Sequence, residues 1–375
     1  MLRKGTFILM KTKIQDMTSG SPGRLIILFA IPLMLGNICQ QLYTMVDTMV
    51  VGQVVGVEAL AALGAVDFLM WVVTGISTGL TQGFSIQLSQ YYGAKDFENL
   101  RKSLAHSYRL TAFIAAGVLI LSQSFASLVL TGLHTPSNII GMSLLYLRII
   151  FCGIPATAAY NMFASALRAM GNSKTPLTAM IIASVLNVSL DILFVAGFGW
   201  GVAGAAIATV IAQSFSAVYC FLILRRIDIV HLTRADFMPA SGMNARLMKL
   251  GIPVVFQNII IGVGGLVVQY VINGYGFLFV AGFTATNKLY GLLEMAAISY
   301  GYAIVTYVGQ NLGAGKIDRI RKGVRSSMLL CLLTSLIISA AMFLFGKNIL
   351  SLFISGEPQQ TQQVLAIAFK YLSIM

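Results

Sequence analysis

Ten stretches of this chain are long, apolar and almost free of charge, which excludes a water-soluble fold. They lie at 25–48, 59–88, 106–130, 139–163, 177–198, 201–224, 250–273, 279–308, 327–350 and 362–375. A helix needs about 20 mostly apolar residues to cross a bilayer. The last stretch is short, and the two longest leave room for interfacial or tilted turns. In hydrocarbon the backbone must satisfy its own hydrogen bonds, so runs of this length predict helices. Of the 375 residues only 10% are charged and 57% are hydrophobic, against roughly 25% and 45–50% in soluble domains. The expected class is all-α and polytopic, and soluble enzymes and nucleic-acid binders are excluded.

The charge then orients the spans. There are 25 Lys and Arg against 12 Asp and Glu, a net charge of +13. In a soluble domain that excess would point to nucleic acid; here it reads as loop charge facing an anionic leaflet. Twenty-one of the 25 cations fall in the N-terminal stretch and the loops after spans 2, 4, 6 and 8, and the loops 49–58, 131–138, 197–201 and 274–278 hold none. Basic loops stay cytoplasmic, so the N-terminus is expected in the cytoplasm and the protein in the inner (plasma) membrane. Residues 1–20 carry too short an apolar stretch, Phe7–Met10, for a signal peptide. They are expected to form a disordered cytoplasmic tail. Cys39, Cys152, Cys220 and Cys331 are scattered through apolar runs and read as small packing residues, neither disulfides nor metal ligands.

The sequence contains itself twice. Ala30-Ile31-Pro32 with Asn37 matches Gly251-Ile252-Pro253 with Asn258, displaced by 221 residues. Gln90 to Ala94, followed by Arg101-Lys102, matches Gln310 to Ala314, followed by Arg321-Lys322, displaced by 220. Tyr146-Leu147 matches Tyr371-Leu372 at 225. Six spans precede the second copy, an even number, so both copies enter the membrane from one side. Parallel repeats of this kind are a transporter architecture with the substrate path between them. A duplicated membrane anchor is the bland alternative, but an anchor needs neither ten spans nor acids within them. The organisation expected is a tail at 1–20, a six-helix lobe at 21–226, a cytoplasmic linker at 227–246 and a second lobe at 247–375. Tyr371-Leu372 is followed by three residues where the first copy has 79. The second lobe therefore reads as incomplete, holding helices 7–10 of twelve.

Few residues can carry chemistry inside such spans. The acids are Asp47, Asp191, Glu294 and, near one end of span 2, Asp67. An ionisable residue there costs at least about 2.5–3.5 kcal/mol and marks function by default. Asn187 and Asp191 are four residues apart in span 5 and share a helix face. Thr209 in span 6 and Tyr146 in span 4 add hydroxyls. Oxygen ligands of this kind suit a hard cation and not zinc or copper. If Asp47 and Asp191 approach each other in low dielectric, they cannot both stay ionised cheaply, so the pair would hold a proton, or the cage Na⁺. The competing structural readings are a solvated Asp47 near the outer interface, a helix-packing bond for Asn187 and Asp191, and simple packing for Tyr146. Arg148 points to another face and pairs or snorkels outward. Glu294 could attract a cation; pairing with Lys288, six residues earlier, is off-face.

Other motifs carry nothing. Gly199-Trp200-Gly201-Val202-Ala203-Gly204 fits GxGxxG but opens an apolar helix with no strand before it, so it reads as close helix packing. There is no GxxxxGK[ST], hence no ATP hydrolysis by this chain. His106, His134 and His231 are dispersed. The Asn187-Val188-Ser189 sequon lies in a span. No cofactor and no enzymatic activity are expected.

Several separate segments resemble the multidrug and toxic compound extrusion (MATE) family. They are Ser21 to Arg24 running into Ala30-Ile31-Pro32, Gln40 to Thr48, Ala166 to Pro176, Trp200 to Thr209, and Val308 to Gly315. The likeness runs from residue 18 to the C-terminus. It implies a twelve-helix exporter of two six-helix lobes that expels organic, often cationic drugs in exchange for inward H⁺ or Na⁺. The family's N-lobe cation site uses an Asp on helix 1, a Tyr on helix 4, an Asn-xxx-Asp pair on helix 5 and a Thr on helix 6. Those roles fall on Asp47, Tyr146, Asn187, Asp191 and Thr209. Pro32 matches the proline where helix 1 bends, and a proline does remove one helix hydrogen bond. Asn37, Asn258 and Glu294 are candidates for the substrate cavity. Some relatives carry a second acidic site on helices 7 and 10; span 7 here offers Gln257, Asn258 and Gln269 but no acid. The partners expected are amphipathic drugs and the lipid bilayer, with no nucleic acid, and the chain is expected to be a monomer. The alternatives are a flippase for lipid-linked saccharides, which would favour a strongly basic cavity, and an intramembrane enzyme or receptor. The spans hold only Arg148 and Lys288 as internal cations, and there is no nucleophile–base constellation.

Overall fold

Apolar runs with no water to bond to leave helix as the local solution. Helix is what the chain forms in its computed structural model, which describes residues 14–133, 135–273, 277–353, 362 and 365–371. Among these residues there is no strand. The long helices are α1 (Pro22–Val54), α2 (Val57–Gly93), α3 (Phe97–Gly132), α4 (Ile140–Cys152), α5 (Ile154–Ala169), α6 (Lys174–Asp191), α7 (Gly201–Leu224), α8 (Met243–Asn273), α9 (Phe277–Gly313) and α10 (Ile317–Phe353). By length and composition seven helices among the described residues can cross a membrane, or eight if α4 and α5 count as one span. Of the tenth expected span, 362–375, only residue 362 and residues 365–371 are described, and they are helical.

The span expected at 139–163 is broken. α4 and α5 meet at a 45° bend. Pro155 sits in the first turn of α5, where its missing N–H costs nothing. Gly153 at the corner has no room for a side chain, because a Cβ there would press on Val210 of α7.

The repeat is structural. α2 and α9 are both 37 residues long, and the bounds of one are those of the other displaced by 220. Even the turns that follow agree. Lys95 and Gly315, 220 apart, both adopt left-handed backbone, with φ of 58° and 69°. The two copies pack as α1 on α9 and α10, and as α2 on α8 and α9. The α2–α8 contact is backbone-close, with Gly83 facing Gly251 and Gly79 facing Val255. At the ends of α2 and α9, on the face that carries the basic loops, Gly93 lies on the carbonyl of Gln310 and Gly313 on that of Gln90. The two copies thus exchange the same contact across their seam.

The N-terminal stretch corrects an expectation. Residues 14–20 are not a disordered tail but a strap across this seam. Met17 is fully buried beside Ile26, Phe29, Ala303 and Tyr307. Gln15 N–H bonds to the Gly171 carbonyl of the first copy at 3.1 Å. Met17 N–H bonds to Gln310 Oε1 at 3.0 Å, and Asn311 Nδ2 returns a bond to the Met17 carbonyl at 2.9 Å. Lys316 Nζ and Arg319 Nη1 hold the carbonyls of Thr18 and Gly20, each at 2.9 Å. One apolar side chain with bonded amides on both sides outweighs the entropy of ordering so short a segment. The linker is ordered too. A capping box of Thr233 and Asp236 shapes it, and Arg109 Nη1 bonds the Phe237 carbonyl at 2.9 Å.

Candidate functional site

Four helices of the first copy converge on one buried polar group. α1 contributes Asp47 and, one turn earlier, Tyr43; α4 contributes Tyr146; α6 contributes Asn187 and Asp191; α7 contributes Thr209 and Gln213. Asp47 is 4% exposed, Tyr146 5%, and Asn187 and Asp191 0%. The i, i+4 spacing puts Asn187 above Asp191 on the inner stripe of α6, and α6 packs on both α1 and α7. Directly after Asp191 the helix widens into a π-turn, Ile192–Gly197. Such turns interrupt the regular ladder and recur at functional sites.

The polar atoms of this group are poorly satisfied. Asn187 Nδ2 reaches Thr209 Oγ1 at 3.4 Å, and Gln213 Nε2 donates to Tyr43 Oη at 3.1 Å. The acceptors are left over. Asp47 Oδ1, Asn187 Oδ1, both carboxylate oxygens of Asp191 and Gln213 Oε1 are buried without a hydrogen-bond partner. Asp47 and Asp191 lie within electrostatic reach of each other, and Tyr146 lies within reach of both. The Arg101–Asp236 and Lys102–Glu98 ion pairs lie elsewhere. Two carboxylates, an amide oxygen and hydroxyls, buried together, are the kind of oxygen donor set that suits a proton or a hard monovalent cation.

The structure brings together all five residues expected at the cation site. Tyr43 and Gln213 are additions that sequence reading missed; the signal was their position one helical turn from Asp47 and from Thr209 on the same faces. The solvated reading of Asp47 does not hold, since its side chain is buried. Pro32 is buried in α1, which runs as one helix from Pro22 to Val54. Asn37 and Asn258 join the two copies. Asn37 Nδ2 bonds Ser299 Oγ of α9 at 3.2 Å, and Asn258 Nδ2 bonds the Gly75 carbonyl of α2 at 3.1 Å. Glu294 is exposed on α9, and Asp67, exposed in the first third of α2, lies within electrostatic reach of Asp47 and Tyr146. The GxGxxG-like run divides in two. Gly199 and Gly201 take left-handed turn conformations, with φ of 70° and 57°, while Gly204 packs closely on Phe194.

Known proteins share this architecture. The MatE family model matches residues 32–193 and 253–375. A Bacillus subtilis protein named "Probable multidrug resistance protein YpnP" is 31% identical over 363 residues, covering 96% of this chain and 81% of its own. "Probable multidrug resistance protein NorM" of Thermotoga maritima is 26% identical, covering 89% of this chain and 72% of its own. Among solved structures, one titled as the outward-facing conformation of a multidrug resistance MATE family transporter superposes with a TM-score of 0.89 at 22% identity, covering 96% of this chain and 80% of that one. A transporter of the MOP superfamily from Pyrococcus furiosus gives 0.90 at 23%, with the same coverage.

Proposed function

The chain belongs to the MatE family, and on that premise we propose that it exports amphipathic, often cationic organic compounds by antiport with H⁺ or Na⁺. It is a multi-pass membrane transporter and not an enzyme. The observation that carries the coupling assignment is the set of orphaned acceptors on Asp47, Asn187 and Asp191. Leaving such atoms buried and unpaired costs roughly 1–3 kcal/mol each, more for charged groups, unless a ligand offsets it. An inward-moving proton or Na⁺ is that ligand. Asp47 and Asp191 hold the positive charge, Asn187 Oδ1 and the hydroxyls of Thr209 and Tyr146 complete the cage, and Tyr43 and Gln213 fix its α1 and α7 walls.

The site sits wholly in the first copy, while the drug path runs between the copies, so ion binding must act through α1. That helix carries Asp47 at one end of its contact with α6 and Asn37 at its contact with α9. Pro32 lacks the N–H that would tie it to the preceding turn, so α1 bends there at low cost when Asp47 changes its partner. With the basic loops cytoplasmic, the seam and strap close the cytoplasmic side, and substrate leaves on the other. The protein lies in the inner (plasma) membrane and acts as a monomer. The likeness to a structure titled as outward-facing supports that reading of the seam.

The test is ethidium efflux from proteoliposomes holding the full chain, with Na⁺ and pH gradients imposed separately. One gradient should drive efflux, and Asp47→Asn and Asp191→Asn should each stop it. Wild-type rates in both variants at equal reconstitution would remove the proposed site.

A further inference from the structure

Arg148 is a charged residue within a span that the transport reading does not use. It lies in α4, two residues after Tyr146, and the helix turn that aims Tyr146 at the cation cage aims Arg148 the opposite way. Its side chain is exposed, and it is a member of neither the Arg101–Asp236 nor the Lys102–Glu98 ion pair. Eight residues separate it from the start of α4 at Ile140, which places it about 12 Å along the helix. Counted from a helix that enters the bilayer near Ile140, that distance falls short of the roughly 30 Å thickness of the hydrocarbon core. The surroundings face lipid: Ile120, Leu121, Phe125 and Leu128 of α3 and Leu145 of α4 are all exposed large apolar side chains.

Arg148 does not stand on a bare helix face. It lines a groove of about 650 Å³ between α3 and α4, with Gln123, Ser124 and Cys152 beside it and Leu119, Ile120 and Ile149 as apolar walls. Gln123 Nε2 donates to the Arg148 carbonyl at 2.8 Å, which ties the two walls together at this level. The groove therefore pairs an apolar trough with a guanidinium and a hydroxyl. α4 starts at the face opposite the basic loops, and side chains on a helix lean toward its N-terminus. The guanidinium is thus directed toward that leaflet's headgroups.

We infer that the α3–α4 groove is a binding site for one anionic phospholipid, its phosphate paired with Arg148 and its acyl chain lying along Leu119, Ile120 and Ile149. A bare arginine in hydrocarbon is costly. A guanidinium forms two parallel charge-assisted bonds to a phosphate, which a zwitterionic headgroup matches less well because its own cation competes. The site is independent of the transport cage, and the occupant is a lipid rather than a substrate.

The test uses the full-length protein in detergent, with dioleoyl phosphatidylglycerol, dioleoyl phosphatidylcholine and inorganic phosphate as separate probes. Retained lipid is read by native mass spectrometry and thermal stability by melting. Wild type should retain phosphatidylglycerol over phosphatidylcholine and melt higher with it, while inorganic phosphate alone does nothing. Arg148→Leu should lose about fivefold in phosphatidylglycerol affinity, the scale of one cation at an anionic surface. Arg148→Lys should lose less, keeping the charge without the fork. Because the residue faces outward, Arg148→Leu should fold and melt normally without lipid. Three results would each overturn the site: equal phosphatidylglycerol retention by wild type and Arg148→Leu, equal stabilisation by both lipids, or an Arg148-dependent dimer, which would make a second copy the occupant.

Discussion

The side-chain amides of Asn187 and of Asn311 are equally inaccessible, each 0% exposed, yet their surroundings treat them in opposite ways. At the seam Asn311 donates to the carbonyls of Met17 and Tyr307 at 2.9 and 2.8 Å and accepts from Arg319 Nε at 3.0 Å. Its neighbour Gln310 accepts from Met17 N–H and donates to the Ala169 carbonyl at 2.8 Å. In the cage Asn187 has one long bond, and its oxygen has no partner, like both oxygens of Asp191. The seam has completed its hydrogen bonding from within the chain and needs nothing further. The cage has kept its acceptors open: they are buried and have no partner within the chain. The seam between the copies and the proposed ion cage thus use the same kind of amide and differ in how far its hydrogen bonding is satisfied.

The strongest way to break this comparison is to neutralise the acids. Asp191→Asn and Asp47→Asn should each reduce gradient-driven ethidium efflux to the background of empty liposomes. The same variants should melt no lower than wild type in detergent, because removing an uncompensated buried charge relieves a cost rather than breaking a bond. A large fall in melting temperature with efflux intact would show the acids to be structural, like the seam.

At the seam the expectation reverses. A Cβ at Gly313 would land on the Gln90 carbonyl, and one at Gly93 on the Gln310 carbonyl, and backbone cannot step aside. Gly313→Ala and Gly93→Ala should cost about 1–3 kcal/mol, as overpacking does, seen as a lower melting temperature. A Cβ at Gly117 in α3 would meet nothing within 4 Å. Gly117→Ala should therefore be neutral or gain about 0.5–1 kcal/mol from a helix-interior glycine. Equal effects at Gly313 and Gly117 would dissolve the seam as a close contact.

The two asparagines make the direct test. Asn311→Ala strands Arg319 Nε and leaves the Met17 carbonyl with only the 3.3 Å bond from Arg319 Nη2, so it should destabilise by roughly 1–3 kcal/mol. Asn187→Ala forfeits one 3.4 Å bond and should cost less than about 1 kcal/mol, while weakening the ion dependence of efflux. A stability loss at Asn187 as large as that at Asn311 would mean that the cage is internally bonded after all.

The cage was readable from the sequence and the seam was not, and the reason is physical. Asp47 and the Asn187–Asp191 pair stand out because a carboxylate within a 20-residue apolar run has a cost that marks it, and the i, i+4 rule orients it without knowledge of the fold. The all-helical class and the duplication were readable for the same reason, since each is a property of the chain's own periodicity. The strap depends on partners 293 and 294 positions away, Met17 with Gln310 and Asn311, and no pattern along the chain encodes such a meeting. Gln310-Asn311-Leu312-Gly313 was visible as a repeat anchor, but its role at the seam was not. The bend at Gly153 was likewise hidden in a run whose hydrophobicity reads straight through it, although Pro155 was the local sign.

A smaller effect lies at the edge of the seam, at Asp16 within the strap. Burial pushes the Asp16 carboxyl up, but bonds from the Thr18 amide and hydroxyl and the Ser19 hydroxyl, with the nearby Lys316 charge, bring it below its ordinary value. Thr18 N–H reaches Asp16 Oδ1 at 2.7 Å, and Ser19 Oγ reaches Oδ2 at 3.2 Å. A carboxyl lowered in the folded state stabilises it above the unfolded value, near 3.9, and that contribution disappears as pH falls through the folded value. The strap is therefore indifferent to pH across the neutral range and loosens only in acid below about pH 4. Asp16 is exposed, so solvent screening keeps the effect small. Amide exchange at Met17 and Thr18, corrected for intrinsic rates, should be slightly faster in Asp16→Asn than in wild type at pH 7, and the difference should vanish in acid. A difference that grew in acid would have the wrong sign for a lowered carboxyl. It would mean that the strap is held by Met17 and the Gln310–Asn311 amides alone.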